Sequence, residues 1–186
     1  MPESDEIIYT RFLEKGANED IKELMQRHRE GLTLFLHGMG LSLEDAEEIM
    51  IDSFVAVGMG RSVFYGKSSF KTWLFSIGRN KALNHLKARR FDTVSLNDNI
   101  KYSEEKYPEL DMLKKERDKV LYLALDRLKD EYRQILYLIY FEDMSIEDAA
   151  RVMKKTRKQI YNLILRSKEA LKKELTESGA DSELFI

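Results

Sequence analysis

The chain has 186 residues, 31 Lys or Arg against 33 Asp or Glu, and no cysteine, which excludes disulfides, thiolate zinc sites and a thiol nucleophile. Hydrophobic residues make up 43% of it, enough to bury a core and to exclude global disorder, and the length suits one large domain or two small ones. The net charge of −2 conceals a segregation: residues 61–91 carry eight Lys/Arg and no acid, residues 151–173 carry nine and one acid, and the remaining stretches are net acidic. Two basic blocks in an otherwise acidic chain point to two separate polyanion contacts.

The opening Met1-Pro2-Glu3-Ser4-Asp5-Glu6 is acidic, and no apolar run reaches membrane-spanning length, so the expected location is cytoplasmic with no membrane insertion. Two prolines, nine glycines and no Val/Ile/Thr alternation predict an all-α protein. Helices are expected near 5–15, 18–38, 42–59 and 69–90. Ser42-Leu43-Glu44-Asp45 opens the third with a hydroxyl cap and an acid three residues on. One face of that helix, Ala46, Ile49, Met50, Phe54 and Val57, is apolar. The other mixes Asp45, Glu48 and Asp52 with Ile51 and Val55, which favours a protein-docking surface over a merely solvated face.

Gly58-Met59-Gly60 stops this helix, and residues 61–68 form a loop. Phe64-Tyr65-Gly66-Lys67-Ser68-Ser69 could hold one base lifted from its stack, the plain alternative being a connector with Ser69 as a helix cap. In the next helix Phe70, Leu74 and Ile77 share a core stripe. Trp73, Asn80, Asn84 and Lys87 line its margin, where the indole either packs inward or borders a contact surface. Phe75, Ala82 and Leu86 lie opposite, so the helix is sandwiched or meets a partner. Cations interleaved with rings suit a single strand, and asparagine amides suit base edges.

Residues 92–108 read as a flexible linker with Asn97-Asp98-Asn99; fully extended it could reach roughly 60 Å. Helices then follow near 109–127, 130–141, 145–153 and 156–175. Ser145-Ile146-Glu147-Asp148 and Thr156-Arg157-Lys158-Gln159 are both N-cap signals, with a turn at Lys154-Lys155 between them. A short helix, a tight turn and a longer basic helix make a helix-turn-helix. Ile160, Leu163, Ile164 and Leu171 face inward, while Lys158, Asn162 and Arg166 project outward, flanked by Arg157 and Tyr161. Catalysis finds no support: phosphate-loop, His-Glu-x-x-His and Gly-x-Ser-x-Gly patterns are missing and the three histidines are scattered. No enzyme activity, cofactor or metal is expected.

Three segments together resemble a bacterial RNA polymerase sigma factor of the extracytoplasmic-function type. Asp45-Ala46-Glu47-Glu48-Ile49-Met50-Ile51-Asp52-Ser53-Phe54 is similar to that family's polymerase-docking helix. Phe64 to Asn80, containing Phe70-Lys71-Thr72-Trp73-Leu74, is similar to its promoter-melting loop and helix. Leu128 to Leu175, with Tyr132-Arg133 and Ile146-Glu147-Asp148-Ala149-Ala150, is similar to its helix-turn-helix. Departures are Ile51, where the family usually has glutamine, and Tyr65, where it commonly has arginine.

The resemblance implies two small helical domains, residues 1–91 and 109–186, the second a helix-turn-helix, joined by the 92–108 linker. It implies docking on core RNA polymerase through Asp45, Glu48, Ile49, Ile51, Asp52 and Val55. Promoter DNA would be held as a melted strand by Phe64, Tyr65, Lys67, Ser68, Ser69, Lys71, Asn80, Asn84 and Lys87. It would be read as duplex by Lys155, Thr156, Arg157, Lys158, Tyr161, Asn162 and Arg166. An anti-sigma partner is also implied. The competing reading, a free-standing helix-turn-helix regulator, accounts for the second basic block but not the first. A protein-only adaptor would leave both blocks incidental.

Overall fold

A computed structural model of the chain describes residues 3–93 and 116–178. All regular structure among these is helical: α1 (Asp5–Lys15), α2 (Asn18–His37), α3 (Leu43–Gly58), α4 (Phe70–Thr93), α5 (Glu116–Asp126), α6 (Asp130–Leu136), α7 (Ile146–Met153) and α8 (Arg157–Glu177). The linker assigned to 92–108 lies outside the described residues beyond Thr93, as does the expected helical stretch 109–115.

The N-cap signals work as their residue types dictate. Ser42 and Ser145 each accept from the backbone N–H three residues on, at 3.1 Å, and each donates its own hydroxyl to that residue's carboxylate at 2.6 Å. Thr156 and Gln159 exchange both bonds of a capping box, at 2.8 and 3.2 Å. Removing the hydroxyl leaves an orphan amide at the start of α8. Thr156→Ala should therefore cost about 1 kcal/mol, read by urea denaturation, with Thr156→Ser close to wild type.

α1 to α4 form the first bundle, in which α2 packs on α1, α3 and α4. Its close approach of α2 to α4 needs Gly78, where a Cβ would meet Leu32 Cδ1 at 2.9 Å. α1 lies across the start of α4: Tyr9 sits among Phe12, Phe64, Phe70 and Trp73 with ring centroids 5.2–6.2 Å away. Asp5 anchors it through His28 at 2.6 Å and Arg27 at 2.9 Å, and the His28 hydrogen bond holds the carboxylate below its usual pKa. This contribution is present at neutral pH and fades as the pH falls through the lowered value.

In the second bundle α6 and α7 pack on α8, and α5 joins α8. The expected single helix over 130–141 is not continuous: α6 widens into a π turn over Tyr137–Phe141. The wider turn accommodates the Tyr137 ring, which stacks on Phe141 at 5.1 Å and lies 6.5 Å from Phe35 of α2. Burial drives the Tyr137 hydroxyl pKa far above its ordinary value, so it stays a neutral core group.

The two-faced pattern on α4 has a structural answer. Phe70 and Leu74 point into the first bundle, and Phe75 and Ala82 are also fully buried. α4 packs on α2 and α3 on one side and on α7 on another. One buried cluster runs from Leu32, Phe35 and Phe75 through to Ile135, Leu138, Ala149 and Val152. The two bundles are therefore in contact along α4, whereas the sequence left room for them to stand apart.

Candidate nucleic-acid interface

The loop before α4 is built on one anchor and one tip. Phe64 is half-buried, its ring 5.1 Å from Trp73 and 5.9 Å from Tyr9. Gly66 then turns the chain with φ 67°, a backbone that side chains with a Cβ rarely adopt, and nothing crowds it. Tyr65 beside it is 77% exposed, and Lys67 is exposed too. Ser69 accepts from Thr72 N–H at 3.1 Å and so caps α4, as its alternative reading held. Phe70 N–H donates to Glu6 Oε1 of α1, 64 residues earlier in the chain, at 2.8 Å. The tip thus offers Tyr65, Lys67 and Ser68, while Phe64 and Ser69 hold it in place. Stacking on the exposed Tyr65 ring is open to any base.

Along α4, Asn80 is partly exposed, and Asn84 and Lys87 one and two turns on are exposed. Three positive or titratable groups of this helix reach α3: Lys81 lies 3.5 Å from Asp52, Arg89 3.0 Å from Asp45, and His85 3.6 Å from Asp45. Partly exposed pairs of this kind contribute about 0–1 kcal/mol. Lys71 is engaged differently, by Glu142 at 2.6 Å. Trp73, half-buried in the aromatic cluster, braces the loop.

On α3, Glu48 and Asp52 are exposed, and Ile51 and Val55 are 49% and 44% exposed, one helical turn apart. Met59 extends this apolar stripe by a further turn. Asp45 is partly covered and bonded to Ser42 and Arg89. Ile49 does not belong to the surface. It is 6% exposed and packs inward with Ala46, Met50 and Phe54, because 100° per residue places it on their face.

α7 and α8 meet at a turn in which Lys154 adopts φ 54° and ψ 46°, a left-handed helix end. α8 begins at once, with its N-terminus unobstructed by acids of its own first turn. Lys158, Tyr161, Asn162 and Arg166 are exposed on one side, opposite buried Ile160, Leu163, Ser167 and Leu171. Arg157 pairs with Glu147 at 2.6 Å and Lys155 with Glu131 at 2.9 Å. Thr156 is spent on the cap. A cationic helix following a short one at a tight turn fits a major groove.

Sequence reasoning did not find α1 as the support of the loop, nor Glu142, Arg133 and Gln134 as groups that face the first bundle. Nothing local in sequence reports contacts between positions 64 to 95 residues apart, as in Phe70–Glu6 or Arg133–Gly38. The second apolar face of α4 was the available hint. Among the described residues no cluster of His, Cys, Asp and Glu could hold a metal, and no helix is long and apolar enough to cross a membrane.

Residues 24–91 match the family model described as Sigma-70 region 2, and residues 118–171 match Sigma-70, region 4. Among curated proteins, the RNA polymerase sigma-H factor of Pseudomonas aeruginosa is 31% identical over 151 residues, covering 76% of each chain. The RNA polymerase sigma factor YlaC of Bacillus subtilis is 24% identical over 169 residues, 89% of this chain and 98% of that protein. Two solved structures share the fold at 22% identity. One is CnrH in complex with the cytosolic domain of CnrY, with TM-score 0.66 over 94% of this chain and 99% of that one. The other is the sigma factor RpoE with the anti-sigma factor NepR from Bartonella quintana, with TM-score 0.67 over 85% and 98%.

Proposed function

Since this chain belongs to the sigma-70 family, as an RNA polymerase sigma factor of the extracytoplasmic-function type, we propose how its two basic surfaces divide promoter recognition. It directs core RNA polymerase to promoters. The first domain, residues 1–91, docks on the polymerase through Asp45, Glu48, Ile51, Asp52 and Val55. The tip residues Tyr65, Lys67 and Ser68, with Lys71, Asn80, Asn84 and Lys87 on α4, hold the melted strand. The second domain, residues 109–186, reads the upstream duplex through Lys155, Arg157, Lys158, Tyr161, Asn162 and Arg166.

The observation that carries this division is the paired geometry of cations. On α4 they stand beside an exposed ring, which suits unstacked bases; on α8 they stand on a helix free to enter a groove. The chain contributes no bond-breaking chemistry. Unstacking costs a few kcal/mol per base, offset by the new stacking and phosphate contacts. By analogy with the RpoE–NepR pair, an anti-sigma protein is the proposed partner that restrains it.

Lys158 is exposed and contributes a phosphate contact in this reading. Lys158→Ala in the reconstituted holoenzyme should weaken promoter binding and flatten the log affinity against log salt line by about one unit. An unchanged slope would take Lys158 off the DNA backbone. A free-standing regulator would bind the same duplex without polymerase, and the same titration run without core enzyme separates the two.

A further inference from the structure

α4 begins without an acid in its first turn, where Lys71 stands instead. A helix start gains from a negative charge, because its first N–H groups are unpaired and point outward. An acid within that turn would repel the phosphates of a strand held beside it. The fold supplies the charge from a different element. Glu6 of α1 accepts the Phe70 N–H at 2.8 Å, while Ser69 Oγ accepts the Thr72 N–H at 3.1 Å. One acceptor is local and the other comes from α1, and together they close the turn.

α1 is itself held against α2. Arg11 donates to Asp20 Oδ1 through Nε at 2.8 Å and Nη2 at 2.6 Å, and Asp5 is held by Arg27 and His28. Tyr9 is buried, its ring 5.5 Å from Trp73 and 5.9 Å from Phe64. Glu6 and Tyr9 stand three residues apart, neighbours on one side of the helix. That side of α1 thus touches both the residue that opens α4 and the two rings that flank the loop.

We propose that Glu6 and Tyr9 are positioning residues for strand opening: they set the angle at which residues 64–69 enter α4, and so aim the Tyr65 and Lys67 tip at the strand. The inference rests on the reading of that tip as a strand contact. Neither residue needs to touch DNA, since Tyr9 is 2% exposed and Glu6 is engaged with the α4 backbone. Without the Glu6 carboxylate the Phe70 N–H loses its acceptor in a partly buried place. The first turn of α4 is then free to unwind toward water, which releases the Ser69 cap and the loop with it. Polymerase docking through α3 and duplex reading through α8 use other surfaces, so strand opening should be lost separately from both.

Holoenzyme reconstituted with the full chain tests this. Glu6→Ala should lower permanganate reactivity at the melted element about tenfold, the scale of one lost charge-assisted hydrogen bond, with core and duplex affinities unchanged. Glu6→Gln should stay within about threefold of wild type, because an amide oxygen still accepts and only the charge at the helix start is lost. The free chain gives a second readout, since Trp73 is its only tryptophan. Glu6→Ala and Tyr9→Leu should both shift its emission to the red as the indole loses cover. Tyr9→Phe keeps the ring and should leave emission and opening as they are.

Full strand opening by Glu6→Ala and Tyr9→Leu would overturn the proposal. So would equal losses of opening, core affinity and duplex affinity, which mark general loss of structure. A Glu6→Gln chain as defective as Glu6→Ala would overturn it too, since the hydrogen bond would then not be what places the loop. The Tyr65→Ala, Lys67→Ala double variant checks the underlying reading separately. Opening equal to wild type there would fail the strand assignment of the tip, whatever Glu6→Ala does. A loss there beside full opening by Glu6→Ala fails the positioning role alone.

Discussion

Phe75→Ala should lower the unfolding free energy by about 3–5 kcal/mol, a large part of the stability of a small helical protein. The ring is fully buried, 5.4 Å from Phe35 across α2, and lies in the cluster that joins the two domains. Truncation would open a cavity at a place held rigid by α2, α4 and α7 together, where little can move in to refill it. The Phe75→Leu variant keeps most of the volume and should lose less than half as much. Urea denaturation checks both. A loss below about 1 kcal/mol for Phe75→Ala would mean that this face of α4 is open in solution. That result would bear equally on the contact between the domains.

Asn80→Ala should reduce strand opening by about ten- to a hundredfold, the range expected for one lost bidentate base contact. Asn80 is partly exposed, one turn before the exposed Asn84 and on the same side of α4 as Lys87. Permanganate reactivity of unpaired thymines in the holoenzyme complex measures the effect. Duplex binding through α8 should be nearly unaffected, because α8 lies in the other domain. A footprint equal to wild type would remove Asn80 from the strand contacts.

Much of the fold was legible because its signals are local. Ser42, Ser145 and Thr156 announce helix starts through a hydroxyl that reaches an amide three residues away, a relation contained within four positions. The apolar stripe of Ala46, Met50, Phe54 and Val57 follows from helical periodicity, and the same rule should have excluded Ile49 from the docking face. The dual apolar faces of α4 were visible, but not what covers the second one. That answer depends on Ile135, Leu138 and Ala149, more than fifty residues further along.

The site was legible in kind and less so in detail. Charge blocks and interleaved rings pointed to the α4 and α8 surfaces as the candidates, since phosphate and base chemistry demand those residue types. Phe64 and Trp73 were harder, because a ring serves equally well as a core anchor or as a stacking platform, and here they pack against Tyr9. The engagement of Lys71 by Glu142 had no sequence signal at all.

The most direct measurement is run-off transcription by core RNA polymerase on promoter fragments, with and without the purified chain. Discrete transcripts that appear only when the chain is added are the predicted result, and they should weaken with Asn80→Ala. Equal transcription with and without it, across the fragments tried, would contradict the account.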